Sequence, residues 1–545
     1  MACDGFRRSK EKRDLSDMKS KAAEFYQGNG VPQEIERALN HLFFHQSGDI
    51  YGDLANYFTK LAAPPRISKL KGKEVYDARG QLSIQAEVFC IIRNEEKVKS
   101  MTVFLSCHFQ RLAKSEERFN HVMTALQWIN EPLSEMLKDL DPCDQAGVDH
   151  ILRYRINFFM ARYLEKEEIQ SREREQSCSP SKLEEEPPTP PPAQPKGRKS
   201  GDKGKKGTNV EKPIPPREPP EPVLPGSWAI GSVSLAVAKT GAQIQGVPLY
   251  KYIAALKNQE AQTQFHVPVS LVTLLSCGKT SPGKLNLLEE VILIPAAGQQ
   301  VKQVLHALRR IFLLLLSFSI QLLHELITGI GWLSVCSDCS QIHTESLSDT
   351  GALAVGCERP EQPLDLIAEA CSDLGLALGT EIHLAVNCAA HELMDYSKGK
   401  YNIATGSLKS PDELVDLYQA LVNKIHTLLS SAIGGSCLLL SDVTTKPQTP
   451  PLPGVKGHIL RQMNETSISD LIRITSDYQG NRTTVGLGLS YVKLGGLSGG
   501  ERLTKYNRLI SIEEELAQQG ILGMFFFSLT PPLSSGFPSE KTKLS

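Results

Sequence analysis

The chain has 545 residues, 41% of them hydrophobic, which is enough for two or three domains and a large core and excludes a fibrous or collagen-like protein. Lys plus Arg (60) nearly cancels Asp plus Glu (61), so no overall field draws it to nucleic acid or to an acidic membrane surface. The charged start MACDGFRRSKEKRD lacks the apolar stretch of a secretory signal, so the twelve cysteines are expected reduced in a cytoplasmic protein.

Residues 1–65 read as a helical segment closed by Pro64-Pro65. In VPQEIERALNHLFFH, Ile35, Leu39, Leu42 and Phe43 fall on one helical face, and in the following stretch Ile50, Leu54, Tyr57, Phe58 and Leu61 do the same. Two short amphipathic helices cannot bury both stripes alone, so they are expected to pair with a second copy; packing on the rest of their own chain is the alternative.

A strand-like alternation begins around Leu82 to Phe89. From 166 to 224 the chain is crowded with Pro, Glu, Lys and Ser and has almost nothing to bury, so it is expected to be a disordered insert. The basic cluster Lys196 to Lys206 inside it has no interleaved aromatics and acidic flanks, which favours a solvated linker over a nucleic-acid patch.

Beyond Phe265, apolar runs such as Val291 to Ile294, His383 to Val386 and Cys437 to Leu440 alternate with helical stretches such as Leu414 to Val422. That order predicts an α/β architecture with a parallel sheet or barrel covered by helices. The run Ile311 to Ile320 is about half of the roughly twenty residues that span a bilayer, so a buried helix is expected and no membrane segment. Cys336 and Cys339 with His343 lack a second ligand pair at structural-zinc spacing, which favours free thiols. LGGLSGGERL reads as a turn before a helix.

Five colinear stretches carry a family resemblance. They are ISKLKGKEVYDARGQLSIQAEV from Ile67, with Asp77-Ala78-Arg79-Gly80 in place of D-S-R-G; WAIGSVSLAVAKTGAQIQGVPLYKYIAAL from Trp228; GKLNLLEEVILIP ending at Pro295; NCAAHELMDYSKGKY ending at Tyr401; and VGLGLSYVKLGGLSGGERLTKYNRLISIEEEL from Val485. By these the chain is identified as a member of the enolase family, and it resembles the divergent sperm-type branch.

The resemblance implies an enolase-like fold, with a small N-terminal α+β domain in two parts (66–165 and 225–262) interrupted by the insert. A C-terminal TIM-type α/β barrel over 263–525, expected to lack two strands, and a tail over 526–545 would follow. It also implies a homodimer or other enolase-type oligomer, Mg²⁺ as cofactor, and dehydration of 2-phosphoglycerate to phosphoenolpyruvate in glycolysis as the ancestral reaction.

That reaction needs a base, an acid and metal ions holding the enediolate charge. The resemblance puts Arg461 at the position of the catalytic lysine, and a guanidinium does not release its proton in proteins. It puts Thr350 at the position of the glutamate acid, Thr280 at that of the loop histidine, and a retained carboxylate at Glu289. Of the three metal carboxylates, the first becomes Asn387, the second has no matching strand between Lys424 and Cys437, and Asp442 is the candidate third. Lys493 matches the substrate-binding lysine. The phosphate loop has no counterpart between Ser476 and Val485, and the lid has only a remnant near Ser106.

The helical head, with Val31-Pro32 and Asp49-Ile50-Tyr51 opening its helices, resembles the docking-and-dimerisation helices of type II protein kinase A regulatory subunits and related flagellar proteins. Ile35, Leu39, Leu42, Ile50, Leu54 and Phe58 would be its docking residues, with an amphipathic helix of an anchoring protein as partner. The expectation is a protein of impaired activity in sperm flagellum assembly or motility. The alternative is an active magnesium-dependent phosphopyruvate hydratase.

Overall fold

The computed structural model describes residues 16–77, 80–104, 115–155, 157, 158, 161, 165, 224–258, 263–278, 281, 285–328, 346–348, 350–404, 406–429, 439–442, 455–459, 466–479 and 489–523. Thr280, Ser106, Arg461, the insert's basic cluster, and Cys336, Cys339 and His343 lie outside them.

Among the described residues the head has three helices: α1 (residues 16–28), α2 (Val31–His45) and α3 (Ile50–Leu61). Pro32 lies in the first turn of α2, where no amide partner is needed, and Asp49 caps α3 by accepting from the Gly52 amide at 2.9 Å. Between α2 and α3, Tyr57 donates to Glu34 at 2.8 Å, His41 lies 3.5 Å from Asp53, and the His41 and Tyr57 rings are 5.2 Å apart. The apolar stripe meanwhile faces outward, with Ile35 46%, Leu39 53%, Ile50 51% and Phe58 42% exposed, and Leu42 and Leu54 half-buried. No residue of α1–α3 belongs to any of the four apolar clusters among the described residues.

Pro64-Pro65 then hands over to an antiparallel meander of β1 (Arg66–Tyr76), β2 (Leu82–Ile92) and β3 (Glu95–Phe104). Arg93 and Asn94 turn β2 into β3 with φ of 53° and 63°, the left-handed pair that a two-residue hairpin of native twist requires. Helices α4 (Ser115–Trp128), α5 (residues 145–155) and α6 (Trp228–Gln245) accompany the sheet. One apolar cluster joins Ile84 and Val88 of β2 and Val122 of α4 to Trp228, Ile230 and Val233 of α6, so residues on both sides of the insert share a core.

After α7 (Leu249–Lys257) come β4 (Val269–Ser276), β5 (Glu290–Pro295), α8 (Val301–Thr328), β6 (Ser346–Leu347), β7 (Leu353–Ala354), α9 (Gln362–Asp373) and β8 (Ile382–Asn387). A small antiparallel sheet of β9 (Met394–Asp395), β10 (Lys400–Ala404) and β11 (Ser407–Lys409) follows, then α10 (Pro411–Leu429). The described chain closes with β12 (Leu439–Asp442), β13 (Val455–Ile459), α11 (Ile468–Gln479), β14 (Tyr491–Gly495) and α12 (Gly500–Gln518).

The main sheet runs β6-β7-β4-β5-β8, with β14 also on β4. It is mixed rather than parallel. β5 is antiparallel to both β4 and β8, whereas β7 and β14 run parallel to β4. The link from Ser276 to Glu290 holds no described helix, and without a crossover helix the strand can only turn back antiparallel.

Val272 pairs with both Leu293 and Gly495, and Leu275 pairs with both Val291 and Leu353, so β14 and β7 share, end to end, the edge of β4 opposite β5. Among the described residues the sheet is therefore open, and β12 and β13 form a separate parallel pair. In α8, Ile311, Phe312 and Leu315 are buried in the main core while Leu313 is exposed, an amphipathic pattern. No described helix is long and apolar enough to cross a membrane.

Candidate functional site

The main sheet converges on one buried carboxylate. Glu290 opens β5, and the antiparallel register sets it opposite Asn387, the last residue of β8. Asn387 Nδ2 donates to Glu290 Oε2 at 3.0 Å, and Lys493 Nζ of β14 forms an ion pair with the same oxygen. Thr273 of β4 reaches Glu290 Oε1 at 3.5 Å. The Glu290 side chain is only 5% exposed and that of Lys493 37%, so the pair sits at the rim with its acid inward. A carboxylate this deep needs a cation and donors to remain charged, and three strands of the fold supply them.

The sequence points to Glu289 as the retained acid, but the carboxylate that meets Asn387 and Lys493 is that of its neighbour Glu290. Glu289 precedes the strand: its amide donates to the Asn387 carbonyl at 2.8 Å and its carbonyl accepts from the Cys277 amide at 2.9 Å. Its carboxylate lies against Gly278, where a methyl group would overlap it. Adjacent residues entering a strand point to opposite faces, so a Glu-Glu pair at a strand start puts one acid on each side. That alternation was the available signal for Glu290.

Thr350 sits in the turn between β6 and β7. Its hydroxyl is 2.8 Å from the Ser348 hydroxyl, and its carbonyl accepts from the Gly496 amide at 2.7 Å. The Gly351 carbonyl accepts from Ser498 at 3.1 Å, and Tyr506, buried, donates to the Gly495 carbonyl at 2.9 Å. A Cβ on Gly496 would overlap the Gly351 carbonyl, so two glycine-bearing turns are pressed together there. Asp442 ends β12 opposite Ile459 of β13, in the separate two-stranded sheet.

These donors do not fit Mg²⁺. The ion takes near-octahedral oxygen ligands, usually with carboxylates in charge. Here Glu290 is matched by an ammonium group, Asn387 Oδ1 accepts from the Ala389 amide at 3.3 Å, and its NH₂ is given to Glu290. Among the described residues no group of three His, Cys, Asp or Glu side chains could hold a metal. The arrangement holds a carboxylate in place electrostatically.

Residues 264–431 match the family described as the enolase C-terminal TIM barrel domain. Over longer spans the chain is similar to proteins named Enolase 4. It is 43% identical to that of Danio rerio over 562 residues, covering 94% of each chain. For Xenopus laevis the identity is 38% over 573 residues, with 96% of each chain covered. For Homo sapiens it is 40% over 581 residues, covering 94% of this chain and 90% of the relative.

Proposed function

We propose, starting from the fact that this chain belongs to the enolase family, that it serves as a non-catalytic assembly component, with dehydration of 2-phosphoglycerate lost or strongly reduced. The observation that carries this reading is the pairing of Glu290 with the chain's own Lys493 and Asn387, which leaves that carboxylate no free charge for a metal. Arg461 at the position of the family's base adds to it, because a guanidinium cannot abstract the substrate proton. So does Thr350 at the position of the acid, an alcohol whose hydroxyl is engaged by Ser348.

A single general acid or base contributes roughly a hundred- to ten-thousand-fold, so losing both removes useful turnover. A coupled assay for phosphoenolpyruvate with Mg²⁺ should show no turnover above background, and Arg461→Lys alone should not restore it. Clear Mg²⁺-dependent turnover by the unmodified chain would establish the opposite reading, an active phosphopyruvate hydratase.

The place of work in this proposal is the sperm flagellum, with the head as the means of attachment. It rests on the resemblance to the sperm-type branch and on the outward apolar stripe of α2 and α3. Burying one such side chain contributes roughly 1.5–3 kcal/mol, so an exposed row of them favours a partner. Two copies of the head would pair and present a groove to an amphipathic anchoring helix. Leu39→Asp, at a residue 53% exposed, should abolish capture by such a helix without unfolding the rest of the chain. Undiminished capture would refute the attachment.

A further inference from the structure

Two thiols lie in the same part of the main core. Cys277 directly follows β4, and Cys357 lies in the link between β7 and α9. β4 and β7 run parallel with Ser276 opposite Ala354, and the Val355 amide donates to the Ser276 carbonyl at 2.9 Å, extending the pairing to the strand ends. This brings the cysteines to the same end of the sheet, where the Cys357 thiol neighbours that of Cys277. Each is 5% exposed, and both belong to the cluster that contains Leu353, Val355 and Leu364.

We propose that Cys277 and Cys357 form a reversible intramolecular disulfide on exposure to a peroxide, bracing the end of β4 against the segment that leaves β7. One thiol, as its thiolate, attacks a peroxide oxygen and breaks the O–O bond, giving a sulfenic acid and water. The sulfur of the second thiol then displaces the sulfenic oxygen as water. The two sulfurs surrender two electrons in total, and one hydrogen peroxide leaves as two waters. The sulfurs must close to about 2.05 Å, and the irregular link that carries Cys357 can supply the shift.

Burial admits a small peroxide more readily than a bulky disulfide oxidant. The hydrogen bond from Cys357, burial, and the Glu289 and Glu290 carboxylates push the Cys277 thiol well above its usual range, so its thiolate is scarce at neutral pH. Oxidation is accordingly slow at pH 7 and accelerates with alkalinity. The brace lies beside Gly278 and Glu289, at the rim of the Glu290 cluster, and requires nothing of the site's turnover.

The test uses the full chain treated with hydrogen peroxide at pH 7 and pH 9, then denatured, alkylated, digested and analysed by mass spectrometry. The expected result is a Cys277–Cys357 linked peptide, reversed by dithiothreitol and formed faster at pH 9 than at pH 7. It should be absent from Cys357→Ser, with Cys357→Ala in its place should serine disturb the apolar core. Finding both residues alkylated to the untreated level at both pH values would overturn the proposal. So would linkage of Cys277 to other cysteines as readily as to Cys357.

Discussion

Asp149→Ala should lower stability by about 3–5 kcal/mol, because it strips the acceptor from a buried network tying α5 and α6 to the start of α11. Asp149 is 1% exposed and accepts from Ser234 Oγ at 2.6 Å, Gln145 Nε2 at 3.0 Å and the Ser469 amide at 2.9 Å. Ser234 Oγ accepts in turn from the Ile468 amide at 2.9 Å, so two amides at the start of α11 are satisfied by side chains from the first half of the chain. Ser467 and Asp470 complete the cap, and Arg153 pairs with Asp470.

A carboxylate at a helix N-terminus also complements the helix dipole, and the alanine variant takes this acceptor from the Ser234 hydroxyl and the Ser469 amide. Urea unfolding followed by tryptophan fluorescence measures the loss. A change under about 1 kcal/mol would show that the network does not join the two halves.

Lys493→Met should cost about 3 kcal/mol, through the acid it leaves behind rather than the attraction it removes. Glu290 would stay in a site 4% exposed with its ammonium partner gone, beside the donors of Asn387 and Thr273. The double variant Lys493→Met with Glu290→Gln removes both charges and should recover at least about 1 kcal/mol of the loss. Simple additivity of the two single changes would mean that the pair is not coupled. Because the Glu290 carboxylate is buried, salt should weaken the effect only modestly.

Much of the fold was legible because apolar periodicity is local. The head helices, the strand from Leu82, the strands Glu290–Pro295 and Ile382–Asn387 and the helix Pro411–Leu429 all lie where the sequence pattern places them. The direction of β5 was not read, since an apolar run does not state its polarity; the short link after Ser276 carries that information. That Glu290 rather than Glu289 meets Asn387 and Lys493 depends on where the strand begins, and a one-residue slip reverses every side chain. The clasp at Asp149 joins residues 320 positions apart, and nothing in the local sequence marks such a pair. The Cys277–Cys357 contact likewise exists only through the pairing of β4 with β7.

The claim that Glu290 is already neutralised within the chain is tested most directly by titrating the full-length protein with Mg²⁺ in a calorimeter. No saturable binding is expected up to roughly 10 mM, since an ammonium group of the chain already balances the Glu290 carboxylate. A saturable one-to-one isotherm at submillimolar Mg²⁺, abolished by Glu290→Gln, would contradict it.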